Sequence, residues 1–240
     1  MLMMKTIMIG NIPVDVTIKD VKNVHLSVHP PTGRVTISAP ERMKLDTVRL
    51  FAISKLDWIR RQQRKLVEQE REPAREYSER ESHYVWGRRY LLTIREVVGP
   101  AQVALTPTRL TLWIHPGATE IAREKAIEQW LRDQLRKAVR PLIVRWSPAV
   151  GVPAPRFFVQ RMKTKWGSCN HRAGTIRLNS ELAKKPRTCL EYIVVHELVH
   201  LHEPTHNARF RSLMNELMPN WEARRDVLNR LPVRNEWWTY

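Results

Sequence analysis

The sequence predicts an α+β fold with a strand-rich first half and a helix-rich second half. Three observations lead there. Short alternating runs separated by turn residues dominate up to about residue 114. Apolar stripes at helical spacing dominate after residue 119. The second half also places two histidines and a glutamate together on an apolar helix. A loose boundary near residue 118 follows, with expected regions 1–118 and 119–240, or one continuous domain across them.

Residues 24–28 and 34–38 alternate in character, and Pro30-Pro31-Thr32-Gly33 between them supplies turn chemistry, so they read as a hairpin. From residue 45 to about 69 the pattern turns helical, with Val48, Phe51, Ala52, Leu56 and Ile59 on one face. The charged run 68–81, broken by Pro73, reads as a helix end and loop. Residues 84–86 and 90–97 read as strands around a turn at Gly87, and 102–105 with 110–114 as another hairpin. A long helix is expected from about 119 to 146, kinked or interrupted near its end by Pro141. Residues 157–162 and 175–178 read as strands, with a polar loop between them. No internal repeat is visible.

The charge balance limits the partners. Lys and Arg outnumber Asp and Glu 41 to 24, for a net charge of +17. Such a surface attracts polyanions, so nucleic acid is a candidate partner. Two cysteines, Cys169 and Cys189, are too few for a disulfide framework and are expected as reduced thiols. No uninterrupted apolar run is long enough for a membrane span. Pro13 and Asp15 cut short the apolar start, so no signal peptide is read and a cytoplasmic location is expected.

The chemistry concentrates in His196-Glu197-Leu198-Val199-His200. Thr188 and Glu191 have capping-box spacing, with Pro186 just before them. Leu190, Val194, Leu198 and Leu201 form a stripe, and Ile193, Val195 and Val199 make the helix apolar almost all round. Between residues 192 and 201, His196, Glu197 and His200 are then candidate buried ionisable groups that need compensation. A metal ion supplies it. Residues four apart lie on one face, so both imidazoles can reach one Zn²⁺. The glutamate between them sits where a carboxylate can take a proton from water. This H-E-x-x-H pattern points to metal-assisted peptide hydrolysis with Glu197 as general base.

Catalytic zinc normally keeps three protein ligands and one open position. His206 is the expected third ligand. Glu203-Pro204 should end the first helix, Thr205 should cap the next, and His206 would face back from its first turn. His202 should point away into solvent. Glu216 and Glu222 are rival carboxylate ligands, whereas Cys169 and His171 lack a C-x-x-C partner. The strand beginning at Thr175 is expected at a sheet edge beside the cleft, where an extended peptide can pair with it.

Met162-Lys-Thr-Lys-Trp-Gly-Ser-Cys169, Thr175-Ile-Arg-Leu-Asn179, His196 to His200, His206 with Phe210, and Pro219-Asn-Trp221 together resemble the YgjP-like metallopeptidase family, related to the SprT and WLM zinc peptidases. The resemblance implies a zincin-like catalytic half, with His196, His200 and His206 as zinc ligands and Glu197 as base. The His200-to-His206 spacing is also that of metzincins, but Glu203 stands where those carry glycine. Two other functions remain open at this point: a nucleic-acid-associated protease of SprT type, and a non-catalytic zinc-stabilised module that binds nucleic acid or protein.

Overall fold

The structure is a computed structural model that describes residues 3–29, 32–68, 72–162 and 165–232. Two compact units emerge, one ending at Pro73 and the other spanning Ala74–Leu231.

In the first unit the strands are β1 (Met3–Ile9), β2 (Ile12–Lys19), β3 (His25–His29) and β4 (Arg34–Pro40). Their order is β1-β2-β4-β3; β2 and β4 run parallel and the outer pairs antiparallel. The residues Pro30 and Pro31 of the expected turn lie outside the described residues. The alternation Val14, Val16 and Val35, Ile37 turns one side of each strand into the core. Val48 and Ala52 of α1 (Leu45–Ser54) and Ile59 of α2 (Leu56–Glu68) complete it. The single expected helix is therefore two, broken at Lys55, whose N–H bonds to Ala52 and Ile53 carbonyls.

The second unit opens with β5 (Ser82–Val85), β6 (Arg88–Glu96), β7 (Gln102–Leu105) and β8 (Arg109–Ile114). Their order is β5-β6-β8-β7, again with a parallel central pair. The two sheets thus share one plan, two antiparallel hairpins joined through their second strands, although the sequence shows no repeat. The long helix α3 (Glu120–Val150) follows, capped by the Thr119 hydroxyl and closed by Gly151 at φ 78°. Pro141 does not interrupt it. Ala138, Val139 and Ile143 are buried on either side of the proline, and this packing holds the helix through the missing N–H.

Leu92, Leu110 and Leu112 from the sheet share a core with Ile127, Leu131 and Leu135 from α3. For that reason the units divide after Pro73, whereas the sequence placed a loose boundary near residue 118. A three-stranded sheet comes next: β9 (Arg156–Gln160), β10 (Gly167–Asn170) and β11 (Thr175–Asn179). β11 lies in the middle, antiparallel to β10 and parallel to β9. The expected edge strand is thus the central one, and β10, read from the sequence as a polar loop, is an edge. A 3₁₀ segment (Ser180–Lys184) leads to α4 (Arg187–Val199), α5 (Ala208–Leu217) and α6 (Trp221–Arg230). Among the described residues no helix is long and apolar enough to cross a membrane.

Candidate metal centre

Helix α4 is packed into the core by Leu190, Val194, Val195, Leu198 and Val199. It carries His196 and Glu197 and closes at His200. Its start differs from the expected capping box. Pro186 is the cap residue and no side chain bonds the first turn. Thr188 lies inside the helix, and Glu191 reaches sideways. The Glu191 carboxylate accepts from Trp146 and Arg145 of α3, both at 3.1 Å, and from Arg224 of α6 at 2.6 Å. Burial pushes its pKa up, but the hydrogen bonds of Arg224 and Trp146 and the charges of Arg224 and Arg145 outweigh burial and hold it below the usual value.

The β5–β6 turn braces the same helix start. The Trp86 and Gly87 N–H groups donate to the Ala183 and Lys184 carbonyls at 2.9 and 3.1 Å. Gly87 has φ 79°, and a Cβ there would come within 2.8 Å of the Pro186 ring. The Arg187 guanidinium stacks 4.2 Å from the Trp86 ring.

The ring nitrogens of three histidines converge. Nε2 of His196 lies 3.2 Å from that of His200 and 3.0 Å from that of His206, and the His200–His206 pair is 3.1 Å apart. Among the described residues this is the one group of histidine, cysteine or acidic side chains close enough to hold a metal ion. Glu216, Glu222, Cys169 and His171 are not part of it. His206 arrives by a different route from the expected one. Asn207, not Thr205, caps α5, accepting from the Phe210 N–H at 3.0 Å, so His206 stands just before the cap. The Thr205 hydroxyl instead donates to Glu203. Phe210 packs against all three imidazoles, with ring centroids 4.6–5.0 Å away.

The protonation pattern suits a cation. His200 Nδ1 lies 2.9 Å from the Glu203 carbonyl oxygen. A carbonyl only accepts, so Nδ1 carries the hydrogen and Nε2 presents a lone pair to the cluster. Burial, with the neighbouring His200 and His206, lowers the His196 pKa to about 3, and burial lowers that of His200. Neutral imidazoles aimed at one point repel unless a cation sits among them, and three nitrogens form a zinc-type donor set. The residues present therefore fit a metal ion.

Glu197 is 4% exposed, and its Oε2 has no hydrogen-bond partner among the described residues. Burial raises its pKa to about 8, and the Lys165 charge opposes this. Its carboxylate lies against Gly167 of β10: an added Cβ there would fall 2.5 Å from Oε1. Cys169 is near enough that burial and the Glu197 charge push its thiol up to about 11. Tyr192 meets the His196 ring edge-on at 5.7 Å and stacks on Trp221. His202 is exposed, as expected, and lies outside the histidine cluster. Its Nε2 bonds the Val150 carbonyl at 3.0 Å, tying the chain beyond α4 to the end of α3.

Gly167 is the residue that sequence reasoning overlooked here. A glycine within a strand often marks a close approach by another group, but the four residues Gly-Ser-Cys-Asn are too polar to read as a strand.

The family model described as "YgjP-like, metallopeptidase domain" matches residues 22–231. No curated protein matches the chain significantly. Two solved structures resemble part of it. The metallopeptidase zymogen abylysin of Pyrococcus abyssi is 22% identical, over 38% of this chain and 90% of its own, with a TM-score of 0.36. The metallopeptidase zymogen jannalysin of Methanocaldococcus jannaschii is 18% identical, over 37% of this chain and 93% of its own, with a TM-score of 0.32. The family match implies a divalent metal and a protein or peptide substrate. Covering most of both units, it makes this chain a member of the YgjP-like metallopeptidase family.

Proposed function

We propose that the chain is a zinc-dependent peptidase, with His196, His200 and His206 as zinc ligands and Glu197 as general base. The convergence of three Nε2 atoms, with buried Glu197 next to His196 on the same helix and its Oε2 without a partner among the described residues, carries this reading. Zinc bound there would supply Lewis acidity for the peptide carbonyl and make water a better nucleophile near neutral pH.

The chain's own groups do the rest. The Glu203 carbonyl holds His200 in the tautomer that binds metal. Tyr192 and Phe210 wall the imidazoles with apolar surface, which limits water and strengthens electrostatic interactions. Glu197 takes a proton from the attacking water and returns it to the leaving amine. Edge strand β10, which touches Glu197 through Gly167, replaces β11 as the strand an extended substrate pairs with.

Metal analysis and a proteolysis assay on Glu197→Gln and His206→Ala test the reading. Glu197→Gln should keep zinc and lose turnover by at least about 10²-fold. His206→Ala should lose most of its zinc. Unchanged proteolysis in the first, or full zinc in the second, would overturn the assignment. A fourth protein ligand would instead favour a closed structural site.

A further inference from the structure

Several cations of the second unit are matched by acids, and others are not; those around β10 stand beside the candidate site. Arg132, Arg136, Arg145, Arg224 and Arg225 each have a carboxylate within 4.0 Å. Lys165, just before β10, and Arg172, in the turn after it, are exposed and have no carboxylate within 4.0 Å among the described residues, although the Lys165 charge reaches Glu197. The sequence explains why: no Asp or Glu occurs between Asp133 and Glu181, so the whole β9–β11 sheet is free of acids. Its middle strand adds Arg177, which lies opposite the small Ser168 of β10 and stacks on Phe158 at 5.7 Å rather than on an acid.

This strand also borders the candidate chemistry, because Gly167 supports the Glu197 carboxylate. A lone lysine on an edge strand is an ordinary guard against aggregation. Here cations stand at both ends of the strand and a third lies behind its small central residue. An extended peptide added to β10 would therefore run between exposed positive charges, Lys165 and Arg172, on both sides of the bond nearest Glu197.

We propose that β10 selects acidic substrates, pairing with an extended segment whose Asp or Glu side chains meet Lys165 on one side of the scissile bond and Arg172 on the other. This rests on the peptidase reading and names the substrate class for that site. Paired backbone hydrogen bonds hold the segment regardless of sequence, and the flanking charges discriminate. Two or three partly exposed ion pairs together amount to roughly tenfold in affinity at low salt.

The test measures binding separately from chemistry. Zinc-loaded Glu197→Gln protein is titrated with three fluorescent probes: an extended peptide with Glu on both sides, its Gln counterpart, and a single-stranded oligonucleotide of the same net charge as the Glu peptide. The Glu peptide should bind about tenfold more tightly than the Gln peptide. The gap should close near ~1 M salt, where the Debye length is about 3 Å. Adding Lys165→Glu and Arg172→Glu should abolish or reverse it without changing Tm or zinc content. Lys165→Gln with Arg172→Gln, which carries no reversed charge, should abolish it without reversing it. Equal binding of the two peptides, no binding of either, or a gap that survives both pairs of substitutions would overturn the proposal. So would tighter binding of the oligonucleotide, which would assign the surface to nucleic acid. Cleavage of the Gln peptide by the unmodified protein is scored apart, so a failed peptidase reading leaves the binding result intact.

Discussion

Gly167→Ala adds one methyl group at the point where β10 meets Glu197. The new Cβ would lie 2.5 Å from Oε1 and 2.9 Å from both Cγ and Cδ, against an ordinary contact beginning near 3.4 Å. The carboxylate must retreat by about 0.5 to 0.9 Å, or β10 must give way. β10 is paired to β11 along its length, so the side chain is the softer partner. A general base displaced by most of an ångström loses its alignment with the proton it removes, and such a misplacement costs on the order of 10²-fold. We expect kcat to fall by about that factor while zinc content and KM stay near those of the unmodified protein. The assay is steady-state cleavage of an unstructured protein, with bound metal measured in the same preparation. Glu197→Asp shortens the side chain by one methylene and makes room for the methyl. The double variant should therefore be less impaired than the two single losses multiplied together. Retained kcat in Gly167→Ala, or fully multiplicative losses in the double variant, would refute the reasoning.

Glu191→Gln should lower stability by roughly 1–3 kcal/mol, because it removes the charge that Arg145 and Arg224 face. The folded pKa of Glu191 lies below its ordinary 4.5, so its contribution is complete above about that pH and is lost as pH falls through the lowered value. Thermal melts of the two proteins should differ at pH 7 and converge in acid. Asn179→Asp should destabilise by about 1–3 kcal/mol, since the Asn179 amide donates to the Met162 and Lys165 carbonyls, both at 2.8 Å, and a carboxylate there can only repel them. Chemical denaturation measures the loss, and Asn179→Asp should also weaken proteolysis by shifting the approach to β10. Saturating zinc at about 100 times its Kd should stabilise the unmodified protein by roughly 2.7 kcal/mol, reversibly with chelator, and should fail to stabilise His200→Ala to the same degree.

Much of the architecture is legible because period-2 alternation and helical stripes reflect burial directly. Leu110 and Leu112 alternate in sequence and both are buried. β1 and β2 escape notice for a reason of detail. Pro13 and Asp15 look like breakers, yet both fall on the outward positions of the alternation Ile12, Val14, Val16. Asp15 there accepts hydrogen bonds from Thr6 and Arg34. In the site, the spacing of His196 and His200 is enough to set two imidazoles side by side. The arrival of His206 depends on chain reversal, and which residue caps α5 is a contest between Thr205 and Asn207. Tertiary hydrogen bonding settles that contest, as it does for Thr188 and Glu191 at the start of α4. The central position of β11 is hinted at by its polar ends, since Thr175 and Asn179 are both buried, which a strand covered on one side only would not require.

The common plan of the two four-stranded sheets has a consequence for how this chain can change. Each sheet has its own core, and among the described residues no buried residue belongs to both clusters. The elements that hold the histidines and Glu197 all follow the second sheet and its helix, like an annex built onto one of two similar rooms. A substitution such as Val35→Ala therefore opens its cavity within the first core. The three histidines and Glu197 all lie within the second unit, so cavity-forming substitutions in either core report on that core's own packing.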